Sequence, residues 1–316
     1  MNVFKNLIIS LLLFLLLSKA NGQTYPQMRM EDKVRIAEAI NISKLYAEKI
    51  WPGLNSIPFT LILVTDSIEF LINHPSPSPD FAFLDYDSVL ASKVYYRKTT
   101  FGKNLLATFP AVKGVSTIVV GTPENTGKNS TDWIITLLHE HFHQYTYSSP
   151  NYYSAVDSLD LSGGDQTGMW MLNYPFPYSD STVTAQYKKY VSALSKTLAE
   201  ISTKSFKSSF GEYVRERRRL QQALSSSDYR YFSFQIWQEG LARYTEYKFL
   251  ELLIKYQPSK EVRRLPDYIS FEKYRQEVYQ KQFSQITDCS LEKSRRVCFY
   301  AVGFAEGLIL DKLNPS

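Results

Sequence analysis

Apolar residues recur with helical spacing from Met30 to Trp51, with Val34, Ala37, Ala39, Ile40, Leu45 and Ile50 among them, and Pro52-Gly53 ends the run. The pattern then shortens. Residues 58–65 read Pro-Phe-Thr-Leu-Ile-Leu-Val-Thr, the continuous apolar run of a buried strand. A short helix is expected over 66–73, stopped by the proline-rich 75–79 loop, and further strands over 94–99, 105–109 and 116–121, separated by Gly and Pro turn signals. A polar loop over 122–130 leads into a helix capped by Ser130 or Thr131 and running to about Tyr147. From 148 to 183 Ser, Asp, Gly, Pro and Tyr dominate; a structureless loop of that length is usually functional. Helical periodicity returns over 184–202, 206–225, 229–256, 270–284 and 298–313. The pattern predicts an α+β fold: a small mixed sheet half (23–148), a long loop (148–183) and a mainly helical half (184–316), together one unit over 23–316.

The first 22 residues break this pattern. A lone Lys5 precedes an apolar run from Leu7 to Leu17, then Ser-Lys-Ala-Asn-Gly. Eleven residues of helix span only about 16 Å, short of the roughly 30 Å bilayer core. Small residues Ala20 and Gly22 fit cleavage before Gln23, so residues 1–22 read as a secretory signal peptide and the chain as exported, extracellular or periplasmic. No later stretch is apolar enough for stable membrane insertion. In an oxidising compartment the two cysteines, Cys289 and Cys298, are expected to form one disulfide, stabilising by roughly 2–3 kcal/mol on the loop-entropy model. The net charge of +5, from 36 basic and 31 acidic residues, is too mild and too dispersed for a nucleic-acid partner.

The chain has only four histidines, His74, His139, His141 and His143, and three of them fall in Leu-Leu-His139-Glu140-His141-Phe142-His143-Gln. This contains H-E-x-x-H. At about 100° per residue, His139 and His143 lie about 40° apart and one turn above each other, so both imidazoles can reach one tetrahedral metal. Glu140 borders that face, where it can touch a metal-bound water without being a ligand. This is the arrangement of a zinc hydrolase with Glu140 as catalytic base and Zn2+ as cofactor. Ile134, Leu137, Leu138 and Tyr145 fall on the opposite face and are expected to pack on the core. His141 lies among them and reads as structural; His74, beside Pro75, reads as an exposed loop residue.

A catalytic zinc usually takes a third protein ligand. No histidine follows at the metzincin spacing, because Ser149 and Thr146 occupy those positions. The best candidate is Glu239, in Trp237-Gln238-Glu239-Gly240-Leu241-Ala242-Arg243-Tyr244-Thr245-Glu246. Small Gly240 and Ala242 would let this helix approach the metal helix closely. Glu246, one turn further on, is expected to orient a ligand histidine. Glu239 could instead form an i,i+4 ion pair with Arg243, and Asp157, Asp160 and Asp165 in the long loop are alternative ligands.

With these two segments the chain resembles the gluzincin metallopeptidases of the zincin-like, thermolysin-type superfamily: the His139–His143 motif, and a Trp237–Tyr244 segment similar to their E-G-x-A-x-Y glutamate helix. The resemblance implies a zincin-like fold, zinc held by His139, His143 and Glu239, and a peptide or protein substrate cleaved through a Glu140-activated zinc-bound water. It implies that the 116–121 strand is the sheet edge beside the cleft, and that an oxyanion donor is present, for which Arg243 and Tyr244 are the candidates. The gap between His143 and Glu239 is much longer than in thermolysin and holds the 148–183 loop, whose Tyr152, Tyr153, Met169, Trp170 and Tyr174 are candidates for a substrate-facing wall. The alternatives are a zinc hydrolase of a non-peptide substrate and a non-catalytic secreted binding protein on the same scaffold.

Overall fold

The computed structural model of the chain describes residues 25–314. The expected signal peptide and its cleavage point lie outside them. The fold is α+β with one mixed six-stranded sheet: β1 Leu61–Val64, β2 Ile68–Ile72, β3 Ala82–Asp87, β4 Ser92–Lys98, β5 Leu106–Val112 and β6 Val115–Gly121, in the order β3-β4-β2-β1-β6-β5. β1 runs parallel to β6, with Leu61 opposite Ile118, and every other pairing is antiparallel. The longer helices are α1 Met30–Tyr46, α2 Ser130–Tyr147, α3 Ser181–Ala199, α4 Phe206–Ala223, α5 Ser226–Gln235, α6 Leu241–Leu252, α7 Phe271–Asp288 and α8 Cys298–Leu313. A π-helical turn, Ile236–Gly240, joins α5 to α6.

Two expectations are corrected here, and one strand is added to them. The 66–73 stretch contains strand β2, Ile68–Ile72, and no helix: Phe70, Leu71 and Ile72 are buried between β1 and β4, and a short apolar run does not tell strand from helix by itself. β3 went unexpected because it is mostly exposed and lacks apolar alternation. The sheet edge at this side is β5, not the 116–121 strand, since β6 is paired to β1 and β5. Pro110 within β5 agrees with an edge position, where a missing N–H breaks no ladder.

One core lies between a sheet face and α1 and α2, with Ile36, Ile42, Leu61, Leu63, Ile134, Leu137 and Leu138 all buried. The opposite sheet face is covered by a smaller cluster around Ile62, Val64, Leu71 and Val119. The helical half has its own aromatic core, with Tyr190, Tyr231, Phe232 and Phe299 fully buried. The 148–183 stretch is ordered by two short helices, Tyr152–Asp157 and Trp170–Asn173. Cys289 and Cys298 are bonded, with Cα atoms 5.5 Å apart, and close a loop immediately before α8. Among the described residues no helix is long and apolar enough to cross a membrane.

Gly240 does not serve as expected. The close partner of Gly240 is α8: a Cβ there would stand 2.9 Å from the Gly303 carbonyl carbon, backbone that cannot rotate aside. Gly240→Ala is therefore expected to destabilise the protein by about 1–3 kcal/mol through overpacking, measured by urea unfolding. An unchanged midpoint would mean that the two helices can separate without loss.

Candidate metal centre

α2 is held at its N-terminus by several independent ties. The Asn129 side chain, not Ser130 or Thr131, caps it by accepting from the Asp132 N–H at 2.9 Å. Ser130 donates to Asp267 through both backbone N–H (2.8 Å) and hydroxyl (2.5 Å), and the Trp133 indole donates to the Gly121 carbonyl at 2.9 Å. Its apolar back packs in the sheet core as expected, with Tyr145 half-buried at the margin. His141 also lies on this side. Its ring centroid is 4.5 Å from that of Phe59, its Nδ1 is 2.8 Å from Gln144 Oε1, and burial pushes its pKa down to about 4. His74 is not exposed as expected: it is buried, and its Nδ1 accepts from the Ser76 N–H at 3.1 Å.

On the other face His139 and His143 project together, one turn apart. Their Nε2 atoms are 3.2 Å apart, and Glu239 Oε2 lies 3.7 Å from the first and 3.9 Å from the second. The three side chains form a group able to hold a metal ion. The separations suit that use: ligands about 2.0–2.1 Å from a tetrahedral centre stand about 3.3 Å from one another. Glu239 reaches the group from the π-helical turn, a distortion that often marks a functional position. The Glu239 side chain is 20% exposed while both histidines are buried, so the group opens to solvent on the glutamate side.

The supporting partners fix the ring orientations. His139 Nδ1 is 2.6 Å from Glu246 Oε1, which sets its proton on Nδ1 and leaves the Nε2 lone pair for an ion. Arg243 donates to the same Glu246 carboxylate at 3.0 and 3.2 Å rather than pairing with Glu239. The Gln238 amide lies 3.3 Å from His143 Nδ1, and both Tyr147 and Tyr152 hydroxyls bond to it. Turned so that its oxygen faces Nδ1, that amide accepts the His143 proton and frees Nε2 in the same way. Glu140 Oε2 accepts from the Thr108 hydroxyl at 2.8 Å, which ties this carboxylate to edge strand β5.

Electrostatics favour a cation in the group. Burial drives the His139 pKa down, yet the carboxylates of Glu239 and Glu246 outweigh it and push it up to about 9. Burial also opposes ionisation of Glu239 and Glu246. The imidazoles beside Glu239, with the charge of Arg296, and Arg243 and His139 beside Glu246 nevertheless hold both carboxyls down at about 2. Two borderline imidazole nitrogens beside one hard carboxylate suit a transition-series ion better than calcium or magnesium, which take oxygen donors. Glu246→Gln is expected to weaken metal affinity about 10–100-fold, read by chelator competition, because a neutral amide replaces the charged acceptor that aligns His139 and raises the basicity of its Nε2. Unchanged affinity would make Glu246 a partner of Arg243 alone.

The remaining candidates are dispersed. The Tyr244 hydroxyl donates to Asp311 at 2.7 Å, and its ring lies where a Cβ on Gly307 would meet it at 2.7 Å. Neither Tyr244 nor Arg243 bonds to the His139–His143–Glu239 group. Of the long-loop aromatics, Tyr152 and Tyr153 flank Tyr147, whose ring stacks on His143 with centroids 6.0 Å apart. Trp170 is buried against Phe234 and belongs to the helical core, while Tyr174 is half-buried, with its ring stacked on Tyr231. Met169 is exposed. Asp165 caps the local turn through Thr167 and Trp170 N–H groups and takes no part in the group. Thr108 and Gln238 were missed: neither residue type signals chemistry, and Thr108 is brought in only by sheet pairing.

No family model matches the chain, and no curated protein or solved structure matches it either.

Proposed function

We propose that the protein is an exported zinc metallopeptidase of the gluzincin kind, hydrolysing peptide bonds at the His139–His143–Glu239 centre. The observation that carries this reading is the convergence of those three donors with Glu140 directly beside them on α2. Zinc in such a site supplies Lewis-acid polarisation of the scissile carbonyl and lowers the pKa of water toward neutrality. Glu140, oriented by Thr108, takes the proton of the attacking water on its carboxylate and returns it to the leaving amine. β5 offers its unpaired edge on the same side, and an extended peptide can add to it through main-chain hydrogen bonds. Glu246 and Gln238 hold the two imidazoles, and Arg243 holds Glu246. The Cys289–Cys298 disulfide and the apolar N-terminal segment support export.

The test is metal content by mass spectrometry on the purified, zinc-reconstituted chain, followed by cleavage of a peptide library. About one zinc per chain with peptide cleavage is expected. A chain that takes up no zinc would sink the reading, and zinc without cleavage of any peptide would move it to another substrate.

A further inference from the structure

α8 brings a second set of groups to the open side of the metal centre. Gly303 is pressed against Gly240, the residue after Glu239. Tyr300 precedes Gly303 by about one turn of α8, and Arg296 lies in the short 3-10 turn Arg295–Val297 that leads into the helix. The Arg296 guanidinium donates to the Tyr300 hydroxyl, and the charge of Arg296 reaches Glu239. A cavity of about 300 Å³ lies beside Arg296, between Tyr174 and Tyr178 on one side and Lys293, Arg295 and Arg296 on the other. Among the described residues its lining includes no carboxylate, and none of the three cations has an ion-pair partner.

Lys293, Arg295 and Arg296 share one short loop whose single acidic residue, Glu292, does not line the cavity, so the lining carries a net positive charge that an anion would neutralise. The loop is tied in place by the Cys289–Cys298 disulfide, and Arg295 is held at a φ of 48°, a left-handed conformation that arginine rarely adopts. The volume suits one residue of a substrate rather than a length of chain. Guanidinium groups pair with carboxylates in a fork geometry.

We propose that this cavity is an anion subsite that takes a carboxylate of the peptide substrate, either its C-terminus or an Asp or Glu side chain close to the scissile bond. The proposal rests on the peptidase reading and names the substrate class of that site. Arg296 is its central contact, with Lys293 and Arg295 adding charge at the rim.

Calorimetric titration of the full-length, zinc-loaded Glu140→Gln chain tests it, since that variant is expected to hold peptides without turning them over. Three acetylated hexapeptide pools of otherwise uncharged residues serve as probes: C-terminal free acids, C-terminal amides, and amides carrying one Glu. At least one acidic pool is expected to bind about tenfold or more tightly than the neutral amides, and which one does so identifies the source of the carboxylate. The preference is expected to shrink with added salt and to be lost with Arg296→Gln. It should fall in part with Lys293→Gln, a change at an exposed position where the fold is not at risk. Equal binding of all three pools would overturn the subsite and leave the peptidase reading intact. No binding by any pool, with wild type still cleaving peptides, would do the same. No binding and no cleavage would remove both.

Discussion

Glu140→Gln is expected to lower kcat by about 10²–10⁴-fold while zinc content and thermal stability stay near wild type. The substitution keeps the shape of the side chain, and the amide can still accept from the Thr108 hydroxyl 2.8 Å away. It cannot take a proton from water at neutral pH. Glu140 shares α2 with both histidines, but it is not part of the His139–His143–Glu239 donor group, so the loss falls on chemistry rather than on metal retention. Steady-state kinetics beside metal analysis of the same preparation would separate these. A variant that lost its zinc along with its activity would show Glu140 to be holding the site together. A variant with full activity would exclude it as the base.

Glu239→Ala is expected to weaken zinc binding by more than about 100-fold, beyond the 10–100-fold range for supporting partners, because it removes one of three ligands outright. The two remaining nitrogens, 3.2 Å apart, can still bind an ion, but with more positions left to water. The cost to the fold is small by comparison, since the Glu239 side chain is partly exposed and the π turn is fixed by Gly240 against Gly303. Chelator competition gives the affinity, and a melt in excess chelator gives the fold. Undiminished affinity would pass the third position to another carboxylate, with Glu246 the nearest candidate through His139.

The centre was legible because it is written in local spacing. His139 and His143 are four apart on a helix, and geometry alone places them together. Glu246 could be expected behind a ligand because helical period carries it toward the same side. Arg243 reads differently in place: its i,i+4 option with Glu239 lost to an i,i+3 pair with Glu246, since the π turn shifts Glu239 relative to α6. Elements defined by partners far along the chain were not legible. β2 is a strand because β1 and β4 flank it, and β5 is the edge because β6 returns to pair with β1. The same holds for Arg296 and Tyr300. Nothing in Lys293-Ser294-Arg295-Arg296 points to a site near residue 239 until Gly303 is seen against Gly240.

The helix that carries Glu239 belongs to two cores. Before the π turn and at its first residue, Tyr231, Phe232 and Ile236 pack in the aromatic core of the helical half; after it, Phe249, Leu250 and Leu253 pack beneath the sheet. A change of pitch at Ile236–Gly240 lets one rod satisfy two surfaces set at different angles. An ion gripped by α2 from the sheet side and by this turn acts as a rivet at the seam between them. Its binding energy would then add to the cohesion of both cores at once, so the loaded chain is expected to unfold in a single cooperative step and the stripped chain to open at the seam first.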